Sequence, residues 1–375
     1  MDDNTFFLER LHLTYFKNYE EGNFTFGPQV NCIVGQNGSG KTNLLDAVYF
    51  LALSKSAFHN QDALSVQHEA DFFIIDGLFR HKGKTTQITC SLQRGQRKVL
   101  MSDKKAYERM SEHIGKFLVV LVAPNDTDLI RGGGEDRRRF FDGVLAQLDP
   151  EYLANYLQYN KILAQRNGLL KIFAEKNYQD DDLLETYNEP FLRLAARIFE
   201  KRRAFMDVFL PLFAKHYAYL SESQEVVDII YESEVGGAGF EKDFRQNRHR
   251  DAQAQRTTKG IHKDDFVFEI GGVALRKFGS QGQQKTFVLA LKLAQYELLE
   301  IEKKQKPLLL LDDIFDKLDD RRIQKLIQMM DQQRFGQTFI TDARPERTQK
   351  LLENCQADIR FFEILPQSHA RTPRS

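Results

Sequence analysis

The sequence predicts an α/β protein in which a mainly helical segment interrupts a domain built on a parallel sheet. Three observations lead to this prediction. A short apolar run, Val30–Val34, precedes a glycine-rich stretch and an apolar helical pattern. A second apolar run, at residues 307–311, ends in two carboxylates, and residues 135–213 follow helical spacing. Because buried parallel strands are apolar along their length, both apolar runs are assigned to one sheet.

Composition and charge narrow the class of protein. The chain has 375 residues, of which 42% are apolar, enough for two or three domains with cores of their own. Lysine plus arginine and aspartate plus glutamate both number 53, so the net charge is zero and no overall field attracts a polyanion. Any surface that binds nucleic acid must therefore be a local patch.

Cysteine usage and hydropathy favour a cytoplasmic location. The cysteines Cys32, Cys90 and Cys355 are isolated, and no Cys-x-x-Cys pair indicates a disulfide framework or a zinc site. The longest apolar run, residues 117–123, is much shorter than the roughly 20 residues that cross a membrane, and the acidic start is unlike a signal peptide. We therefore expect a cytoplasmic protein with no membrane partner, and a disordered tail at residues 368–375.

The glycine-rich stretch is an uninterrupted match to the P-loop pattern G-x-x-x-x-G-K-[S/T]. Its glycines let backbone N–H groups curl around phosphates, while Lys41 would reach the outer phosphates and the Thr42 hydroxyl would bind Mg²⁺. A glycine-rich turn before an ordinary helix is the alternative, and the flanking strand and helix argue against it. The predicted nucleotide-binding residues are Gly35, Gln36, Asn37, Gly38, Ser39, Gly40, Lys41 and Thr42, with Lys41 also assigned as catalytic.

Strand patterns on both sides of the P-loop predict further sheet. Residues 6–15 alternate between apolar and polar side chains, and residues 19–26 form a second candidate strand. Residues 71–100 resemble a β-meander, because strand-like runs alternate with basic, glycine-containing turns. Residues 117–123 predict a buried strand that stops at Pro124.

Helical spacing dominates the middle of the chain. The Arg-Gly-Gly-Gly stretch at 131–134 suits a break between domains, and from 135 to 213 apolar residues recur three or four apart. Pro150, Pro190 and Pro211 would break this stretch into pieces. We therefore predict a compact bundle of several helices rather than one long coiled coil.

Basic side chains gather in the helical region. They include an arginine triplet at its start and a stripe of residues four apart, which could follow a phosphate backbone, although solvated helix faces are the commoner explanation. Residues 241–259 are polar and mildly basic, and predict a long helix or a mobile connector. The basic candidates are Arg137, Arg138, Arg139, Arg193, Arg197, Lys201, Arg202 and Arg203.

Past residue 260 the strand pattern resumes and leads to paired carboxylates. Residues 265–270 predict a strand with a Gly271-Gly272 hairpin turn, and the apolar run 307–311 ends at Asp312 and Asp313. We expect the strand at residues 307–311 to lie beside the P-loop strand. Asp312 would hold Mg²⁺, directly or through water, and Asp313 would orient or deprotonate an attacking water as a catalytic residue. A strand that ends at a polar turn is the alternative.

Two further stretches resemble motifs of ABC-type ATPases. Residues 278–285 are similar to the signature motif, which places a serine hydroxyl and bare N–H groups at a helix N-terminus, suited to γ-phosphate. Residues 315–319 resemble the D-loop. The resemblance implies an ABC-type, SMC-like head P-loop ATPase domain, in which two ATP molecules lie between the subunits of an ATP-dependent homodimer. It adds Ser280, Gln281, Gly282, Gln283 and Asp319 to the cofactor-binding residues.

More specific motifs lie at residues 13–19, 40–48, 123–126, 131–134, 137–142, 160–167 and 260–265. Together they resemble the RecF family of DNA recombination and repair proteins. The resemblance implies a weak, DNA-stimulated ATPase that uses ATP and Mg²⁺. It also implies binding to duplex DNA, gaps and single-strand/double-strand junctions without strong sequence specificity. RecR and RecO are the implied partners, and through them RecA at single-strand gaps, in DNA replication, recombinational repair and the SOS response.

Several positions depart from these family patterns. Asp313 stands where transporter ATPases usually have glutamate and RecF-like sequences tend to carry aspartate, and its shorter side chain changes the reach to water. Ile261 stands where many RecF sequences have proline. Residues 337–342 contain no histidine for a γ-phosphate, and no glutamine is a clear Q-loop candidate.

The expected organisation is an ATPase domain in two halves, residues 1–124 and 258–375, separated by a helical insert at 125–257. An ATPase subunit of a transporter is one alternative, but its signature would come much earlier in the chain. A structural DNA tether of the SMC kind is another, which the short insert disfavours. An OLD-like nuclease would need a further domain after Asp313, and too few residues follow.

Overall fold

The computed structural model describes residues 6–222 and 225–365, so the tail expected to be disordered lies outside the described residues. The chain forms two compact units. The first combines Met1–Asp126 with Leu299–Ser375, and the second is Thr127–Leu298.

The predicted domain boundaries, at 124/125 and 257/258, remain a prediction, and the compact units divide the chain differently. The second unit ends at Leu298, well beyond residue 257. The cause is strand pairing, because Asp265–Ile270 pairs with Val227–Glu232 inside the second unit.

Fourteen strands occur in the described residues. They are β1 (Phe7–Phe16), β2 (Tyr19–Thr25), β3 (Val30–Val34), β4 (Phe72–His81), β5 (Lys84–Gln93), β6 (Val99–Ser102), β7 (Lys105–Ala106), β8 (Val119–Val122), β9 (Val227–Glu232), β10 (Asp265–Ile270), β11 (Val273–Ala274), β12 (Leu308–Leu311), β13 (Thr338–Asp342) and β14 (Ile359–Glu363).

The same residues contain twelve α-helices and four short 3₁₀ turns, at Asp62–Ser65, Met110–Glu112, Pro124–Thr127 and Ile261–Lys263. The α-helices are α1 (Lys41–Leu53), α2 (Asp128–Arg131), α3 (Gly134–Leu148), α4 (Pro150–Lys176), α5 (Asp181–Ser221), α6 (Phe240–Gln246), α7 (Arg248–Ala254), α8 (Leu275–Phe278), α9 (Gln281–Lys303), α10 (Ile314–Lys317), α11 (Asp320–Asp331) and α12 (Pro345–Leu352).

A five-stranded parallel sheet in the order β14-β3-β13-β12-β8 organises the first unit. Strands β3, β8, β12 and β13 are buried along their whole length, as parallel strands covered on both faces are. The prediction that β12 lies beside the P-loop strand β3 is wrong, because β13 separates them and pairs with both. The carboxyl ends of the three strands nevertheless share one edge of the sheet, where ligands of open α/β sheets bind.

A six-stranded antiparallel sheet in the order β2-β1-β4-β5-β6-β7 completes the first unit and confirms the strands and meander predicted around the P-loop. Helix α1 contacts strands of both sheets. Its apolar side chains, such as Leu44, Val48 and Leu51, are fully buried and belong to the same core as residues of both sheets. Each such side chain contributes about 1.5–3 kcal/mol by burial, so this core fixes the helix that follows the P-loop.

In the second unit, the prolines do not all interrupt the helices. Pro150 begins α4, as predicted, but α5 continues through Pro190 and Pro211, so the predicted breaks there are wrong. An interior proline costs about 3 kcal/mol, since it removes a helix hydrogen bond. The apolar stripe of α5 extends past both prolines and offsets that cost by burial. Its members include Leu184, Phe191, Leu194, Ile198, Phe205, Phe209, Phe213, Tyr217 and Leu220.

The segment predicted as a long helix or mobile connector forms two short packed helices instead, α6 and α7. Phe244 of α6 is fully buried and stacks on Phe191 of α5. Asp251 of α7 pairs with Arg166 of α4 at 2.8 Å, and both side chains are at most 1% exposed. The segment is ordered because it supplies both an apolar anchor and the counter-charge of a buried arginine.

Some basic residues considered as DNA contacts are buried in ion pairs. Arg202, 1% exposed, lies between Asp142 at 2.9 Å and Asp264 at 2.8 Å. Arg137 binds Asp265 through two hydrogen bonds of 2.8 Å. A buried guanidinium requires such partners, and charge spacing in the sequence does not reveal them. Arg137 and Arg202 are therefore removed from the set of candidate DNA contacts.

Replacing Arg202 tests this buried framework. We expect Arg202→Met to lower the free energy of unfolding by about 3–5 kcal/mol, because Asp142 and Asp264 would keep buried, unpaired charges. The matched control is Arg203→Met, which removes an exposed ion pair with Glu200 and should cost less than about 1 kcal/mol. Urea unfolding followed by circular dichroism measures both, and equal losses would contradict the structural role of Arg202.

Candidate nucleotide-binding site

The P-loop leaves β3 and enters α1 at the carboxyl edge of the parallel sheet. Gly40, directly before α1, has a φ of 110°. A Cβ on Gly40 would lie 2.4 Å from Asn18 Nδ2, so glycine is required here for both its conformation and its lack of a side chain. The loop thus enters α1 directly at Gly40, and the N–H groups at a helix N-terminus are suited to binding phosphate.

Lys41 is held inside the loop that it follows. Its ammonium group donates hydrogen bonds to the carbonyl oxygens of Gly35 at 2.8 Å and Gln36 at 3.0 Å. The side chain is only 5% exposed, so its charge lies in a poorly solvated position. A bound phosphate would accept hydrogen bonds from this ammonium and from the loop N–H groups together.

A chain of hydrogen bonds joins the P-loop to the paired carboxylates. The Thr42 hydroxyl lies 2.9 and 3.1 Å from the two carboxylate oxygens of Asp312. Thr341, at the end of β13, donates its hydroxyl to Asp312 Oδ1 at 2.7 Å and accepts the backbone N–H of Asp313 at 2.9 Å. The intervening strand thereby positions both carboxylates relative to the P-loop.

The environment of Asp312 suits a divalent cation. Burial is the main cause that raises the pKa of this carboxyl above its ordinary value, and the Asp313 charge raises it further. Hydrogen bonds from Thr341 and Thr42 and the charge of Lys41 act in the opposite direction. A cation would stabilise the ionised form, and the oxygen donors of Asp312 and Thr42 are those that Mg²⁺ prefers.

The protein supplies only part of such a metal site. In residues 6–222 and 225–365, no group of three or more His, Cys, Asp or Glu side chains is arranged to hold a metal ion. Mg²⁺ at Thr42 and Asp312 would thus need phosphate oxygens and water as its other ligands, as is usual for nucleotide-bound Mg²⁺. Thr42 and Asp312 as metal ligands stay a prediction, and the oxygen donors found here fit that prediction.

Asp313 adopts an uncommon backbone conformation. It has a φ of 46° and a ψ of 34° and directly precedes α10. Aspartate tolerates this left-handed region better than most residues, and strained conformations of this kind gather at functional sites. The left-handed turn thus lies directly between Asp312, which follows β12, and α10.

Asn18 and Thr341 were missed by sequence reasoning. The Asn18 side chain donates to the carbonyl of Ser39 at 3.1 Å and accepts from Asn43 at 2.6 Å, so the β1–β2 turn packs on the P-loop. Tyr19 adds a hydrogen bond to the Gly40 carbonyl at 3.1 Å. Asn18 and Tyr19 lie within a family motif, which was a signal, whereas no pattern indicated Thr341.

The signature-like residues lie in the second compact unit. Ser280 and Gln283 form a reciprocal cap: Gln283 Oε1 accepts the Ser280 N–H at 2.8 Å, and Ser280 Oγ accepts the Gln283 N–H at 3.2 Å. Ser280 and Gln281 are exposed at the start of α9, and Gly282 is half-buried. Their predicted role in binding a nucleotide stays a prediction.

Asp319, predicted to bind the cofactor, is exposed and caps α11. Its carboxylate accepts the backbone N–H of Arg322 at 3.0 Å and pairs with the Arg322 guanidinium. The cap fixes the end of the D-loop-like stretch by a local interaction. The nucleotide contact of Asp319 stays a prediction.

The parallel sheet, the P-loop and the paired carboxylates define an ABC-type ATPase with an SMC-like head. Family comparison agrees, since the sequence model of the RecF/RecN/SMC N-terminal domain matches residues 7–361. A solved Smc head domain of Pyrococcus furiosus superposes with a TM-score of 0.55 over 96% of this chain and 94% of that one, at 17% identity, which supports the fold alone. The predicted fold class is confirmed.

Curated relatives identify the family within this class. The DNA replication and repair protein RecF of Flavobacterium johnsoniae is 45% identical over 95% of this chain and 99% of its own length. That of Cytophaga hutchinsonii is 44% identical over 96% and 95%. A solved structure of the recombination mediator protein RecF-ATPrS in the RecFOR pathway has a TM-score of 0.85 at 29% identity, covering 97% of both chains. The chain belongs to the RecF family.

The motif-based resemblance is therefore confirmed, and with it ATP binding, ATPase activity and a role in DNA repair at the level of the family. Among the described residues, no helix is long and apolar enough to cross a membrane.

Removing the Thr341 hydroxyl tests its role in the site. We expect Thr341→Val to weaken the affinity for Mg²⁺-ATP by about tenfold, because Asp312 loses a charge-assisted hydrogen bond, while affinity measured in EDTA stays unchanged. Thr338→Val, at the other end of β13, is the matched control, since its hydroxyl donates to the nearby Gly336 carbonyl at 3.2 Å. Titration calorimetry measures both affinities. If the Thr341 variant binds Mg²⁺-ATP as tightly as the parent, the hydrogen bond from Thr341 to Asp312 does not contribute to Mg²⁺-ATP binding.

Proposed function

We propose that this chain is an ATP-dependent, DNA-binding protein of recombinational repair that dimerises when it binds ATP. It binds duplex and gapped DNA and single-strand/double-strand junctions without strong sequence specificity, and its weak ATPase activity is stimulated by DNA. It acts in the cytoplasm with RecR and RecO, and helps to load RecA at single-strand gaps. The solved RecF relative is a recombination mediator protein of the RecFOR pathway, which supports these partners.

The proposal is supported above all by two different sets of candidate phosphate-binding residues in a single chain. The P-loop and Asp312 are joined through Thr42 at 2.9 Å and form the half that can hold a nucleotide and Mg²⁺. The exposed Ser280 at the start of α9 forms the half that suits a γ-phosphate. Head-to-tail association of two copies would complete two sites, so ATP would be part of the dimer interface.

The residues of the first half-site fit hydrolysis of ATP. Lys41 would stabilise negative charge on the outer phosphates, and Asp313 would orient the attacking water or accept its proton. Mg²⁺, when bound, would neutralise phosphate charge and polarise the bond that breaks. Since two half-sites must close on each ATP, binding energy would favour the dimer and hydrolysis would release it.

Binding to DNA would depend on phosphate contacts. The net charge is zero, so attraction must come from local basic surface. Arg193 and Arg197 remain exposed on α5 and are candidates, whereas Lys201 binds Asp149 at 2.7 Å. Phosphate contacts carry no sequence information, in keeping with the proposed lack of sequence specificity.

Light scattering tests the proposal directly. We expect a monomer without nucleotide, a dimer with ATP and Mg²⁺, and a more stable dimer when a gapped duplex is added. Ser280→Arg should abolish the dimer and leave ATP binding by the monomer intact, because a long charged side chain would fill the γ-phosphate position. Lys277→Arg, an exposed change nearby, is the control. A chain that stays monomeric under all conditions and ignores DNA would favour a transporter subunit instead.

A substitution at Asp313 should separate ATP-dependent dimer formation from ATP hydrolysis. We expect Asp313→Asn to reduce ATP turnover by about a hundredfold or more, since the water loses its base, while the ATP-dependent dimer persists. Asp320→Asn, exposed on α11, is the control. Turnover by phosphate release and dimer lifetime by light scattering give the two readouts. Normal turnover in Asp313→Asn would exclude it as the catalytic carboxylate.

A further inference from the structure

The peptide group just before α9 is hydrogen-bonded through both its carbonyl oxygen and its N–H. It is the peptide between Gly279 and Ser280, which leads from α8 into α9. Its carbonyl oxygen accepts the amide of Gln284 at 3.0 Å, and its N–H donates to the amide oxygen of Gln283 at 2.8 Å. The carbonyl and N–H of a trans peptide point in opposite directions, so these two bonds fix its plane from two sides.

Each glutamine is held in turn by a charged residue. Arg131 Nε, at the end of α2, donates to Gln284 Oε1 at 3.2 Å, and this link is called the Arg131 arm. Glu225, just before β9, accepts from Gln283 Nε2 at 2.7 Å and from the Tyr217 hydroxyl at 2.9 Å, and this link is called the Glu225 arm. The two arms approach the same peptide from different elements of the second unit.

Backbone hydrogen bonds also hold the segment on which the arms act: the Gly279 N–H donates to the Leu275 carbonyl and the Gln284 N–H to the Ser280 carbonyl, both at 2.9 Å. Ser280 is exposed, and the adjacent Phe278 is 70% exposed, so apolar burial does not hold this turn. Gly279 packs closely on α8, where an added Cβ would lie 2.5 Å from Leu275 Cδ1. The orientation of the peptide determines where the Ser280 hydroxyl and the first N–H groups of α9 point, since both follow directly from it.

We propose that Arg131 and Glu225 are positioning residues that preset the signature turn for the γ-phosphate of an ATP molecule bound by a second copy of the chain. The inference rests on the proposed ATP-dependent dimer. Neither residue touches the nucleotide, and each acts through its glutamine. A turn already fixed in the monomer loses less conformational freedom on closure, so the arms strengthen dimerisation and leave ATP binding at the P-loop unchanged.

Alanine variants of the two arms test the proposal in the full-length chain. Arg131→Ala and Glu225→Ala should each raise the ATP-dependent dimer dissociation constant by about tenfold, because every dimer contains two such turns and each loses a hydrogen bond. ATP affinity of the monomer should change less than twofold. Glu225→Gln keeps an acceptor for Gln283 and should restore most of the dimer affinity. Lys277→Ala, an exposed change beside the turn, should have no effect.

Hydrogen exchange of the nucleotide-free monomer gives a second readout. The Ser280 amide should exchange faster in Arg131→Ala and Glu225→Ala than in the parent, because its bond to Gln283 depends on a fixed turn. Unchanged exchange in both variants would overturn the inference, whatever the oligomeric state.

The two proposals fail in different ways. If the parent dimerises with ATP and both alanine variants dimerise equally well, the positioning role is wrong and the proposed function stands. If the parent never dimerises, the proposed function fails, and the role of the arms in closure fails with it.

Discussion

The hydrogen bond between the Thr42 hydroxyl and the Asp312 carboxylate, 2.9 Å long, is the contact on which the nucleotide site depends. The two residues are far apart in the chain, so the polypeptide must leave the first unit, build the second, and return in register. The parallel sheet meets this demand because its strands bring their carboxyl ends to one edge. The Thr42 hydroxyl and the Asp312 carboxylate therefore lie together beside the loop at which the phosphates of a nucleotide would bind.

Local patterns allowed much of the fold and of the site to be predicted. The P-loop depends on glycines at fixed positions, and β12 is an apolar run that ends in carboxylates, so both could be recognised from neighbouring residues alone. The order of the strands in the sheet could not be predicted, because the placement of β13 between β3 and β12 depends on pairing between distant segments. For the same reason Thr341 could not be recognised: its role exists only because β13 lies there.

The helical unit shows where sequence patterns are ambiguous. A proline in a helical stretch usually ends the helix, yet burial along α5 outweighs both interior prolines. Arginine spacing indicates a basic face, yet Arg202 points inward to Asp142 and Asp264. Several stretches that resemble the RecF family, including those of Arg137, Asp142, Arg166 and Asp264, supply members of these buried ion pairs. Much of the family signal in this unit therefore reflects internal architecture.

The buried ion pairs also restrict how such a sequence can diverge. If Arg166 changes alone, Asp251 is left with an uncompensated buried charge, and the reverse change leaves the guanidinium in the same position. A pair can be replaced without this cost only when both members change together. Arg202 serves two carboxylates, so its replacement requires three coordinated substitutions. Single substitutions in this buried part of the molecule are consequently costly, whereas those in exposed ion pairs cost little.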